Sequence, residues 1–250
     1  MNRVRKCWEE RRCAVSGWLQ LPGALHAEAL ARLSYDALVL DLQHSPIDFA
    51  QAVSMLAAIE LGGAEPFVRM QVNSAADAMK LLDAGAYGVI SPMVNTVEDA
   101  RHFASALNYP PLGTRSYGPR RPSLRYGADY WGLARQSIVG LAMIETREAV
   151  ANLHDILAVE GLDGVFIGPT DLAVEYGYAP HVDSTEPELV QIIAGIREAA
   201  HAANKKVGIY CGAAPFAKEK IAEGFDLITA APDLGLLVGA AQQLLSSIRN

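Results

Sequence analysis

Two carboxylates stand just past the ends of two short apolar runs: Glu145 follows LAMI, and Asp171 follows VFIGPT. Both runs are short enough for strands, and each leads into a segment with helical periodicity. If the strands lie parallel in one sheet, the residues that follow them emerge on one rim, with space for a divalent cation between the two acids. Hard oxygen donors with no Cys or His at ligand spacing suit Mg²⁺ or Mn²⁺, with Co²⁺ as a possible substitute. Two protein ligands leave positions for water and a chelating substrate. Position alone keeps two structural alternatives open, Asp171 as the N-cap of the next helix and Glu145 as the partner of Arg147 or another surface arginine.

Three further groups fall at strand ends. Arg69 closes the apolar run FVRM, where a buried guanidinium needs an anion. A structural carboxylate such as Glu145 would serve, and so would a substrate carboxylate or a developing enolate oxygen. His44 lies three residues after Asp41, close enough for the carboxylate to fix the imidazole tautomer and support it as a base, although a lone His is more often a structural hydrogen-bonder. Gly168-Pro169-Thr170-Asp171 runs into a helix N-terminus whose free N–H groups attract a carboxylate or phosphate, while Gly-Pro is also a plain turn. Cys211 has no base beside it in sequence and reads as a packed thiol. Lys206 sits at the wrong end of its strand for Schiff-base chemistry.

The elements that must position these groups repeat along the chain. Strands are predicted at Ala14–Leu19, Ala37–Leu42, Pro66–Met70, Gly88–Ser91, Gly140–Ile144, Gly164–Ile167, Lys206–Tyr210 and Asp226–Thr229, each followed by an Ala/Leu-rich helical segment. ARLSYDALVLD, LDAGAYGVISP, VEGLDGVFIGP and AEGFDLITAAP echo one another, and Gly85, Gly161 and Gly224 fit the left-handed position that closes a helix. Eight alternating units in one domain of residues 1–250 predict an α/β fold of the (β/α)8 TIM-barrel type. A doubly wound open sheet is the alternative, but no Gly-rich phosphate turn follows the first strand. The segment at about 108–136, rich in Pro, Gly, Arg and Tyr, breaks the rhythm. It is expected to be a lid, an oligomer contact or surface decoration, and Arg115, Arg120, Arg121 or Arg125 within it could bind a distal substrate group.

Composition excludes other classes. A net charge of −7 and a pI near 5.4 oppose binding to nucleic acid, and no apolar run is long enough for a membrane span. Cys7, Cys13 and Cys211 have neither metal nor redox spacing, and no leader-like apolar region follows the basic start, so a reducing, cytoplasmic setting is expected.

At these residues the chain resembles the HpcH/HpaI aldolase/citrate lyase family, in particular its metal-dependent class II pyruvate aldolases. The likeness runs from GWLQLPGALHAEALA through VLDLQHSPID, VRMQVNSAADAMKLLDAGAYGVISPMV, YPPLGTRSYGP and IETREAVANLHDILAVEGLDGVFIGPTDLA to GFDLITAAPDLGLL. The resemblance implies a (β/α)8 barrel, commonly assembled as a homohexamer through a C-terminal helix. It implies that Glu145 and Asp171 bind the metal, Arg69 the substrate oxygen, and Gly168 to Asp171 the pyruvate carboxylate, while His44 and Asp41 transfer protons. The implied reaction is reversible cleavage of a 2-oxo-4-hydroxy acid to pyruvate, a small 2-oxo acid, and an aldehyde, through a metal-stabilised enolate. Gln43 stands where many characterised members carry Glu, and SYGPRRPSLRYG is unlike the best-known members. The alternatives are a citrate-synthase-like enzyme, a citryl- or malyl-CoA lyase, or a non-catalytic metabolite-binding protein.

Overall fold

The computed structural model describes residues 2–249. Eight parallel strands close into a barrel in sequence order: β1 (Ala14–Leu19), β2 (Ala37–Asp41), β3 (Glu65–Arg69), β4 (Gly88–Ser91), β5 (Val139–Ile144), β6 (Gly164–Ile167), β7 (Lys206–Cys211) and β8 (Leu227–Pro232). The eight strand expectations each match within a few residues. Strands covered on both faces read as continuous apolar runs, which is why periodicity located them so closely. Alternate residues divide between two cores. Val39, Phe67, Ile90, Leu141 and Phe166 fill the barrel interior, whereas Leu38, Leu40, Val68 and Ile144 face the surrounding helices. Gly85, Gly161 and Gly224 have φ of +101°, +84° and +95°, as helix-closing residues should.

The basic start forms a helix, Arg3–Glu9, that carried no element in the sequence reading. Seven residues are too few to show a period, so the helix depends on its cap and on packing. Asn2 caps it through Oδ1, which accepts from the Val4 N–H at 3.0 Å, while Nδ2 donates to the carbonyls of Tyr87 and Ser137 at 2.8 and 3.0 Å. Arg5 reaches Asp163 at 2.7 Å, and the Trp8 indole reaches the Asp226 carbonyl at 2.9 Å. Tyr87, Asp163 and Asp226 lie just before strands, so this helix floors the barrel at its N-terminal end.

The segment at 108–136 also belongs to that end, and a lid over the opposite rim is ruled out. Within it are helices Arg120–Tyr126 and Tyr130–Ser137. Arg125 bonds Glu65, the first residue of β3, at 2.7 Å, and Arg121 bonds Glu60. The fully buried Arg115 bonds Asp83 at 2.8 Å and the Tyr130 hydroxyl at 3.0 Å. A guanidinium buried this deeply has to be paired, and each partner sits at the floor.

The last helix, Asp233–Arg249, is anchored mainly at its first residue. Asp233 is buried and accepts from the N–H groups of Gln20 and Leu21 at 2.8 and 3.1 Å. Beyond it, Leu237, Leu244 and Ile248 are 60%, 60% and 70% exposed. Among the described residues, no helix is long and apolar enough to cross a membrane.

Candidate active site

The C-terminal ends of the strands surround a cavity of about 320 Å³ lined by, among others, Trp18, Gln20, His44, Arg69, Thr170, Asp171, Val182 and Tyr210. Glu145 follows β5 directly and is 2% exposed. Its Oε1 accepts from the Met93 N–H at 2.8 Å, and it makes no pair with Arg147, whose Nε donates instead to the Glu175 carbonyl at 2.7 Å. Asp171 lies in the first turn of helix Pro169–Glu175, with Gly168 as the N-cap, so its side chain is not the cap. Proline at the first helical position and an acid in the first turn both suit a helix start.

The two acids face each other closely enough to interact. Burial pushes the Glu145 carboxyl up, and the neighbouring charge of Asp171 adds to this. The Met93 N–H and Arg69 only partly oppose them, so its pKa rises to about 7. Gly168 leaves room between the acids: a Cβ there would stand 2.6 Å from Glu145 Oε2. Among the described residues no group of three or more His, Cys, Asp or Glu side chains is placed to hold a metal. Two converging carboxylates without an intervening base fit a hard divalent cation that keeps open positions for water and substrate.

Asp41 and Arg69 are register partners on adjacent strands, and both point inward. Arg69 Nε and Nη2 donate to the two Asp41 oxygens at 2.9 and 2.7 Å, a bidentate pair. Asp41, with no exposed surface, also accepts from the Trp18 indole at 3.1 Å, the Gln20 amide at 3.3 Å, and the backbone N–H groups of Gln43 and His44 at 3.1 and 3.2 Å. Burial pushes this carboxyl up, but the charge and hydrogen bonds of Arg69, with the other donors, outweigh it and hold the group below the ordinary carboxylate range.

This corrects one expected contact. Asp41 holds the backbone of His44, and its oxygens are occupied by donors other than the imidazole. His44 is nonetheless brought to the cavity wall with an exposed side chain. Thus Arg69, His44, Gly168, Pro169, Thr170 and Asp171 all line one space, with Glu145 and Asp41 directly behind it. The loop arginines do not join them. Arg115, Arg121 and Arg125 are paired at the floor, and Arg120 is an exposed residue of the same floor helix.

Trp18 and Gln20 were not found by sequence reasoning. Trp18 stacks against Phe166 at 6.1 Å between centroids, meets Tyr210 edge-on at 5.3 Å, and lies 4.8 Å from the Arg69 guanidinium. The signal was available: Ser16, Trp18 and Gln20 alternate along and just beyond β1, the same inward alternation that presents Asp41 and Arg69.

A closed barrel of eight parallel strands with its polar cluster at the C-terminal rim has the layout of a TIM-barrel enzyme. A profile of the HpcH/HpaI aldolase/citrate lyase family matches residues 16–240. The chain is 66% identical over 249 residues to a hydroxypyruvate/pyruvate aldolase of Rhizorhabdus wittichii, covering 100% of this chain and 99% of that one. It is 38% identical over 211 residues to a hydroxypyruvate/pyruvate aldolase of Agrobacterium fabrum, covering 83% and 79%. The crystal structure of an HpcH/HpaI aldolase/citrate lyase family protein from Burkholderia cenocepacia superposes with a TM-score of 0.91 at 28% identity, covering 100% of both chains. The chain belongs to the HpcH/HpaI aldolase/citrate lyase family and is an enzyme, a carbon–carbon lyase of the aldolase kind.

Proposed function

We propose that the protein reversibly cleaves a 2-oxo-4-hydroxy acid to an aldehyde and a small 2-oxo acid, pyruvate or hydroxypyruvate, with a divalent cation, Mg²⁺, Mn²⁺ or Co²⁺, held by Glu145 and Asp171. The observation that carries this reading is the convergence of the two acids beside Arg69 and the start of helix Pro169–Glu175. The two named relatives, one 66% identical across the whole chain, support the choice of 2-oxo acid.

When bound, the cation supplies positive charge beside the 2-oxo oxygen and the carboxylate of the substrate. The N–H groups at the start of helix Pro169–Glu175 hold the carboxylate oxygen. In cleavage, the C3–C4 electron pair moves into the 2-oxo group as an enolate, while the C4 hydroxyl loses its proton and becomes the aldehyde carbonyl; the enolate then takes a proton at C3 from water to give the free 2-oxo acid. Arg69 faces the developing oxygen charge. Its Nε and Nη2 are fixed by Asp41, which leaves Nη1 as the donor for substrate and presets the guanidinium without reorganisation during the reaction. His44 takes the C4 proton, directly or through one water, and Asp41 acts on it by holding the loop backbone. In the synthetic direction the same ring protonates the new alkoxide.

Exchange of the pyruvate methyl protons with D₂O, followed by NMR with Mg²⁺, Mn²⁺ or Co²⁺ and with EDTA as control, tests this half of the chemistry without any aldehyde. Metal-dependent exchange is expected. Absence of exchange in folded protein with every metal would refute enolate formation from pyruvate. The reading extends to a cytoplasmic homo-oligomer, of hexameric order by resemblance, assembled through the leucine-rich faces of helix Asp233–Arg249. It draws support from the exposure of Leu237, Leu244 and Ile248 and from the three free cysteines.

A further inference from the structure

Lys206 stands at the start of β7, on the rim that the aldolase chemistry does not use, and it borders a second cavity. This space of about 550 Å³ lies at the closed end of the barrel among Trp8, Arg11, Arg12, Lys206, Ile221 and Asp226. It is larger than the active-site cavity of about 320 Å³ and within the usual range of small-ligand sites, roughly 300–1,000 Å³.

The charges here do not cancel. Asp226 is fully engaged: Oδ1 accepts from Lys206 Nζ at 2.7 Å, while Oδ2 accepts from the Val207 N–H at 3.1 Å and pairs with His201 Nε2 at 3.0 Å. Arg12 grips both oxygens of Asp36 at 2.8 and 3.0 Å. Arg11, exposed where it lines the cavity, has no such partner among the described residues. One positive charge is left over, on a chain whose net charge is −7.

Arg11 also holds a backbone conformation that its side chain disfavours. Its φ is +56°, just past helix Arg3–Glu9, where its N–H donates to the Trp8 carbonyl at 3.0 Å. The helix ends at Gly63, Gly85, Gly161 and Gly224 use glycine in this region, where no Cβ is strained. A cation suits a helix C-terminus, but Lys6 and Arg12 already bring positive charge to this one. An arginine at a strained position beside a cavity points to a use for its charge. The rest of the wall is partly apolar. Trp8 spends its indole N–H on the Asp226 carbonyl at 2.9 Å, so its ring offers hydrocarbon, and Ile221, 40% exposed, adds more.

We propose that this cavity is a second binding site, for a small monocarboxylate with an apolar chain or ring. The carboxylate pairs with the Arg11 guanidinium, whose fork matches its two oxygens, and the apolar body packs on Trp8 and Ile221. A polyhydroxylated acid would lose hydration against those two side chains without gaining partners. The occupant bridges helix Arg3–Glu9 to helix Ala214–Ala222, which carries Ile221, so binding stabilises the floor. The site lies at the opposite end from the catalytic residues and does not depend on the aldolase reading.

The test is ¹⁹F NMR of the Mg²⁺-loaded protein labelled with 5-fluorotryptophan, titrated with phenylacetate, with 4-methylpentanoate, and with phenylacetamide as the uncharged control. The chain has three tryptophans: Trp8 in this cavity, Trp18 in the active site, and Trp131, which is 54% exposed. Trp8→Phe and Trp131→Phe assign their signals. Both carboxylates should shift the Trp8 signal saturably and leave Trp18 unmoved, while the amide shifts neither. Arg11→Gly should weaken binding about tenfold, yet raise the ligand-free unfolding midpoint by about 2–4 °C by removing the left-handed strain. Ile221→Glu, at an exposed position, should also weaken binding about tenfold by placing a negative charge in the cavity. Both variants should keep the wild-type circular dichroism spectrum. The proposal is overturned if neither carboxylate shifts Trp8 in the wild-type protein, if Trp18 responds instead, if the amide binds as well as the acid, or if Arg11→Gly binds undiminished.

Discussion

Replacing Glu145 by Gln should stabilise the metal-free protein while ending its catalysis. Glu145 is 2% exposed and held at about 7 instead of the ordinary 4.5, by burial and by Asp171. At about 1.4 kcal/mol per pH unit, ionising it in the fold costs about 3 kcal/mol. The cost depends on pH with a definite sign. Below pH 4.5 the carboxyl is neutral in folded and unfolded chains alike, and no penalty arises. Between 4.5 and about 7 the unfolded chain ionises first, so wild-type stability falls as pH rises. Above about 7 the whole penalty stands. Gln keeps an oxygen for the Met93 N–H and carries no charge. In EDTA at about pH 8.5, Glu145→Gln should therefore unfold roughly 10 °C higher than the wild type. At about pH 5 the difference should shrink to under about 1 kcal/mol. Thermal unfolding followed by circular dichroism at both pH values measures it. Adding Mn²⁺ at pH 8.5 should raise the wild-type midpoint and leave the variant unmoved, because only the wild type gains a ligand-linked term. A variant no more stable than wild type at pH 8.5, or a gap unchanged at pH 5, would refute the account of this carboxyl.

Arg69→Lys should lower kcat for aldol cleavage by about a hundredfold, since an ammonium cannot grip both Asp41 oxygens and still present a donor to substrate; steady-state kinetics with a folded variant check it. His44→Asn should depress carbon–carbon cleavage by roughly 10²-fold or more in a folded variant, and an unchanged kcat in steady-state kinetics would remove the ring from proton transfer. If the proposed homo-oligomer forms through helix Asp233–Arg249, Leu237→Glu with Leu244→Glu should lower the mass measured by light scattering, and an unchanged mass would refute that contact.

Much of this was legible in the sequence for a physical reason. A parallel barrel buries both faces of its strands, so the strands stand out as apolar runs, and the polar residues that interrupt those runs at their ends are conspicuous. Glu145, Arg69 and Asp171 were found that way. Partners were harder to read. Asp41 and Arg69 lie 28 residues apart and meet because β2 and β3 align them, and such register is set by the whole sheet. The proximity of His44 to Asp41 in sequence suggested a local pair, but Arg69 of β3, the Trp18 indole of β1 and the Gln20 amide just beyond it occupied the carboxylate first. The destination of the 108–136 segment was equally hidden. Its Pro, Gly, Arg and Tyr residues suit either rim, and Glu60, Glu65 and Asp83, its partners, are far away in sequence. The helical segment expected after β5 appears as two short helices, Arg147–Ala151 and Leu153–Leu157, meeting at Asn152, whose amide donates to the Asn95 carbonyl at 2.9 Å.

The amino-terminal floor has a practical bearing on anyone handling the protein. Asn2 has no exposed surface, and its amide is spent on two carbonyls inside the barrel's closed end. Asn2→Ala would leave the Tyr87 and Ser137 carbonyls without this donor and loosen the plug that carries Val4 and Trp8. Helix Asp233–Arg249 is exposed over most of its length, but it is the proposed meeting place of subunits. An internal exposed turn, such as that around Gly177, offers a label site that touches neither end.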